Sequence, residues 1–115
     1  MSIERHEPSE HLSRVVEHNG TVYIAGMTAT DKSLGMKQQT EQVLAKIDGL
    51  LAKSGTNKSK LLSATVYISD MAQKAAMNEA WLDWIDPKNP PTRACVAVEL
   101  GSATTLVEIV VTAAK

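Results

Sequence analysis

Two β-rich runs near the C-terminus, Arg93 to Leu100 and Leu106 to Thr112, constrain this chain most, because both of their faces are apolar. Ala94, Val96 and Val98 oppose Cys95 and Ala97, while Val107, Ile109 and Val111 oppose Leu106 and Val110. Strands of that kind need cover above and below. A chain of 115 residues holds one modest core, so residues 1–115 are read as a single domain. The sequence offers only two helical segments, enough to cover one sheet face. The other face stays partly apolar in a monomer, and such patches mark oligomer interfaces, so a homo-oligomer is expected.

The remaining segments supply the layers. Leu12 to His18 and Thr21 to Ala25 flank Asn19-Gly20, a dipeptide that tolerates the positive φ values of a tight hairpin turn. Gly26 to Gly35 is a polar connection. From Met36 to about Lys53, Val43, Leu44, Ile47, Leu50 and Leu51 recur at helical spacing, and Ser54-Gly55 provides the stop. Leu62, Ala64, Val66 and Ile68 then alternate with polar neighbours, which predicts a strand with one buried face. Asp70 and Gln73 resemble a capping box opening a second helix that runs through Ile85 and is closed by Pro87. The order ββαβαββ predicts an α+β two-layer sandwich, a mixed sheet with two helices on one face.

Composition narrows the function. Twelve Lys and Arg against thirteen Asp and Glu leave a formal net charge of -1, and aromatic residues make up 3% with no Phe. Neither a basic surface nor a base-stacking platform is indicated, so nucleic acid is an unlikely principal partner. No run approaches the ~20 apolar residues of a membrane span. A single cysteine, Cys95, forms no intramolecular disulfide and fits a reducing cytoplasm, the expected location. Within an apolar strand it reads as a small buried group rather than a nucleophile. His6, His11 and His18, at spacings of five and seven, do not share one helix face, have no partnering cysteines or clustered carboxylates, and read as surface residues, so no metal is expected. Lys53, Lys58 and Lys60 read as a solvated loop.

Arg93 and Glu108 stand out, since each places a charge in an otherwise apolar strand. An unpaired buried charge is costly. Three arrangements are open: the two pair with each other, they lie on a solvated edge, or they face a cavity that binds a charged ligand.

Pro91-Thr92-Arg93-Ala94-Cys95-Val96, followed by Val107-Glu108-Ile109 with the Glu fifteen positions after the Arg, resembles the C-terminal signature of the Rid family of reactive imine and enamine deaminases, also called endoribonuclease L-PSP-like. Tyr23-Ile24-Ala25-Gly26, Gln38-Gln39, the stretch from Leu62 to Asp70 and that from Asn78 to Trp84 extend the similarity over nearly the whole chain. The resemblance implies a chorismate-mutase-like fold and a homotrimer with ligand clefts between subunits. It also implies Arg93 as the anchor for the carboxylate of an imino acid such as 2-iminopropionate, Glu108 as the group that orients water, Cys95 as a lining residue, and no cofactor. Ser13 and Ala25 stand where the best-known branch carries a Tyr and a Ser that contact ligand. Leu100-Gly101 replaces the usual Leu-Pro, and an N-terminal Gly-Pro-Tyr is absent. These departures point to a divergent branch, with a noncatalytic trimer that binds small carboxylic acids as the alternative to an imine hydrolase.

Overall fold

Alternation and helical periodicity become one six-stranded sheet under two helices in the computed structural model, which describes residues 2–115. The strands are β1 (Glu4–Pro8), β2 (Ser13–His18), β3 (Thr21–Thr28), β4 (Leu61–Ile68), β5 (Thr92–Ala97) and β6 (Val107–Ala114); the helices are α1 (Met36–Lys53) and α2 (Lys74–Trp84). The sheet order is β1-β2-β3-β6-β4-β5. All neighbours are antiparallel except β4 and β5, which run parallel as crossover through α2 requires. The α+β sandwich is therefore present, with one strand more than the sequence pattern predicts.

The helices pack against each other, and their apolar stripes meet one sheet face. Val43, Leu44, Ile47 and Leu51 of α1 join Val22, Ile24, Ala64, Val66, Ile68, Val107, Ile109 and Val111 in the core. A fully buried Val, Leu or Ile contributes about 1.5–3 kcal/mol relative to leaving it exposed, so this layer supplies most of the stabilisation. Gln39 is buried in it without cost because every polar atom is used. Its amide donates to the carbonyls of Leu34 at 3.0 Å and Thr104 at 2.9 Å and accepts from the Leu106 N–H at 3.1 Å, tying α1 to the segment before β6.

Turn chemistry follows expectation at Asn19 and Gly20, where φ is 52° and 78°, and after α1, where Gly55 has φ of 76°. Four expectations need correction. The polar start forms β1, paired with β2 although every residue in it is exposed. Leu62 is 49% exposed, because the register with β6 slips between Leu61 and Ser63 and puts Leu61 in the core instead. The carboxylate of Asp70 accepts from the Ala72 N–H and opens a short 3-10 turn ahead of α2, so it does not form a capping box with Gln73. The fifth strand ends at Ala97, not Leu100. The second sheet face is uncovered as expected: Tyr23 is 46% and Val96 42% exposed, with Tyr67 and Val110 half-buried between them.

Candidate functional site

Sheet register decides which faces Arg93 and Glu108 use. In β5, Arg93 stands beside Ala64 and Cys95 beside Val66, so both share the helix-covered face at the sheet's edge. One guanidinium nitrogen, Nη1, donates to Asn78 Oδ1 at 2.8 Å and lies 3.9 Å from Met77 Sδ, and the group stacks 5.2 Å from the Trp81 ring centroid. All three partners come from α2. Arg93 is thus half-buried and oriented, and among the described residues most of its five donors have no partner. A guanidinium fork held over an indole at the edge strand of the sheet is suited to gripping a carboxylate.

Glu108 occupies the opposite face. It stands beside Tyr67 of β4 and Thr28 of β3, two strands from β5, at about 10 Å across the sheet. It does not pair with Arg93, which removes the first of the three arrangements. The carboxylate is half-buried and, among the described residues, has no ion-pair or hydrogen-bond partner. Gly26 makes room for it: a Cβ there would overlap the carboxylate and come within 3.0 Å of Glu108 Cδ. Gly26 lies in a register shift between Ile24 and Met27, where β3 bulges opposite β6.

The other residues divide between these two places. Cys95 is half-buried against the core on the Arg93 side. Ala25 precedes Gly26 in the bulge, close to Glu108, and Ser13 is half-buried at the start of β2, between two residues that line a cavity with Ala25. One chain therefore holds an Arg93 half and a Glu108 half and does not unite them.

The histidines also separate. The strand β1 brings His6 Nε2 to 2.6 Å from Glu17 Oε2 and 3.9 Å from Glu4 Oε2, so His6 does have clustered carboxylates, contrary to the sequence reading. The buried Glu17 also accepts from Lys115 Nζ at 2.7 Å. That bond, assisted by His6 and opposed by burial, holds the Glu17 carboxyl below its ordinary pKa. A group already neutralised by an ammonium is a weak metal ligand, and the cluster reads as an ion-pair network.

Sequence comparison settles the family. The profile of the Endoribonuclease L-PSP family matches residues 2–115. This chain belongs to that family. A RutC family protein of Haemophilus ducreyi is 46% identical over 112 residues, covering 97% of this chain and 96% of its own. The RutC family protein YoaB of Escherichia coli is 38% identical and covers 99% of both. Among solved structures, NMB1025 of Neisseria meningitidis, a member of the YjgF protein family, superposes with TM-score 0.94 at 36% identity, covering 100% of this chain and 96% of that one. A Pseudomonas aeruginosa protein reaches TM-score 0.96 at 35% identity, covering 99% of each. The L-PSP fold is accordingly the fold of this chain. No described helix is long and apolar enough to cross a membrane.

Sequence reasoning missed how this L-PSP family member orients its arginine. Asn78 and Trp81 lie three positions apart on α2, on the turn that faces β5, and that spacing was the available signal.

Proposed function

We propose that this protein hydrolyses reactive imino acids to 2-oxo acids and ammonia at a site shared between protomers of a homotrimer. The observation that carries the reading is the Arg93 guanidinium, held over the Trp81 ring and tethered by Asn78 on the edge strand of the sheet. Since Glu108 faces the other side of its own sheet, the carboxylate completing each site comes from a neighbouring copy whose uncovered face meets this edge. Exposed Val96 and Val98 on one partner and Tyr23 on the other supply apolar contact.

The chemistry asks for position more than power. The Arg93 fork binds the substrate carboxylate and sets the imine carbon against a water held by Glu108. Glu108 takes a proton as the water oxygen bonds to that carbon, and the C=N π electrons become a nitrogen lone pair. Glu108 returns its proton to that nitrogen, the hydroxyl proton follows through the same carboxylate, and the C–N bond breaks with its electron pair leaving on ammonia as the C=O of the 2-oxo acid forms. Atoms balance with water as the only co-reactant.

Hydrolysis of freshly generated 2-iminopropionate, followed by semicarbazide capture of the remaining imine, tests the reading. Wild type accelerates the loss and Arg93→Ala does not; no acceleration by wild type across several imino acids overturns it in favour of a carboxylate-binding trimer. The shared site has its own test. Coexpression of equal amounts of the inactive Arg93→Ala and Glu108→Gln chains restores about one site in four by random mixing. No restoration places both residues of a site in one chain.

A further inference from the structure

Pairing between β2 and β3 ends at Val15 and Ile24, yet β3 continues to Thr28 with a neighbour only on the β6 side. The sheet is therefore open beside residues 25–28, and a cavity of about 270 Å³ occupies the gap. Leu12 and Arg14 form one wall, the β3 backbone another, and Lys46 enters from α1. Lys46 Nζ donates to the Thr28 carbonyl at 2.8 Å. Lys32 Nζ reaches Thr28 Oγ1 at 3.2 Å and also the Ala29 carbonyl.

The charge arrangement is unusual. Lys32 and Lys46 are both half-buried, and among the described residues neither has a carboxylate partner. Glu7 serves Arg14 at 3.8 Å and Lys53 at 4.0 Å, so the nearest acid is already engaged by two other cations. Burial, and then the charges of Lys32 and Arg14, hold the Lys46 ammonium below its ordinary pKa. Like charges drawn into partial burial are unfavourable unless an anion joins them. The same gap adjoins Glu108, because Gly26 and Thr28 line the cavity, Gly26 leaves the space that this carboxylate fills, and Thr28 stands beside Glu108 across the strands.

We propose that this gap is a second anion subsite, and that the substrate is an imino acid carrying a further carboxylate or phosphate at its distal end. The inference rests on the imine-hydrolase reading: Arg93 of one protomer takes the carboxylate next to the imine carbon, and Arg14 and Lys46 of its neighbour take the distal anion. Two separated cationic sites flanking Glu108 then select substrates by length and charge.

Two measurements test it. In the first, imines are generated from aspartate, glutamate, phosphoserine, alanine and leucine by an amino-acid oxidase, and kcat/KM is compared. An anionic side chain is expected to raise kcat/KM about tenfold or more over the neutral ones, Lys46→Met to bring that ratio near one, and Lys46→Arg to restore it. Comparison of the aspartate and glutamate imines with the phosphoserine one separates carboxylate from phosphate. In the second, calorimetry compares succinate and 3-phosphoglycerate with propionate, with no turnover required. Tighter binding of a dianion that is lost in Lys46→Met supports the subsite even if no imine is hydrolysed, the case in which only the hydrolase reading falls. Imine hydrolysis with equal kcat/KM for anionic and neutral side chains overturns the subsite while leaving the hydrolase. A preference that survives Lys46→Met overturns it as well.

Discussion

The two edges of the sheet are finished in opposite ways. At β1 every residue is exposed, and Glu4 and His6 join Glu17 and Lys115 in a network of charge. Charged groups along an edge discourage another strand from pairing there. At β5 the residues on the uncovered face are Thr92, Ala94 and Val96, with exposed Val98 beyond the strand, and the one charge, Arg93, is folded back onto α2. The charged first edge resists pairing, and the second is the one that the proposed trimer would bury.

The largest effect tests that contrast directly. Val96→Asp should dissociate the assembly, so that light scattering reports one 12.4 kDa chain in place of three, and should abolish imine turnover. The matching change at the closed edge, Arg5→Asp, should leave the mass unaltered; a shift in mass with Arg5→Asp and none with Val96→Asp would reverse the assignment of the edges. Next, Arg93→Lys should lower kcat/KM about 100-fold despite keeping the charge, since an ammonium cannot supply the planar two-pronged contact. Steady-state kinetics checks this, and wild-type activity in the variant would remove Arg93 from the site.

Gly26→Ala is expected to cost about tenfold in kcat/KM while leaving the melting temperature nearly unchanged, because the new methyl group displaces the end of a flexible side chain and not the backbone. Unaltered kinetics in that variant would show that the Glu108 position is not critical. The smallest effect lies at the closed edge. Glu17→Gln should destabilise the fold by about 1 kcal/mol at neutral pH. With its folded pKa below 4.5, Glu17 contributes stability above that value and loses it as pH falls through the depressed folded one. Lys115, raised above 10.5 chiefly by the same bond, keeps its share until pH rises through its raised value. Denaturant melts of the two proteins should therefore differ by a constant amount between those limits and converge in acid.

Most of the fold was legible because burial imposes a period. The stripe of α1 and the alternation in β4 follow from having one covered face, and Asn19-Gly20 marked its turn unaided. What escaped notice lacked a period. Glu4-Arg5-His6-Glu7-Pro8 has no apolar side to betray a strand, and Leu62 obeyed the alternation on paper while a register slip turned it outward. The site divides in the same way. Arg93 and Glu108 were visible as charges among apolar neighbours, but only the register shows them on opposite faces. Lys46 looks like any lysine on a helix; what sets it apart is the early end of β2–β3 pairing, a long-range event with no local signature.

The central place of β6 bears on how the chain is made. It lies between β3 and β4, so before Val107 to Ala114 have been synthesised the earlier strands form two separate pieces with no common sheet. The polypeptide leaving the ribosome cannot complete its sheet stepwise from the N-terminus; closure waits for a strand that joins residues far apart in sequence. Val22, Ile24, Ala64 and Val66 remain without their β6 neighbours until then. Closure of the sheet is thereby expected to be late, with those apolar positions waiting on β6 for their strand partners.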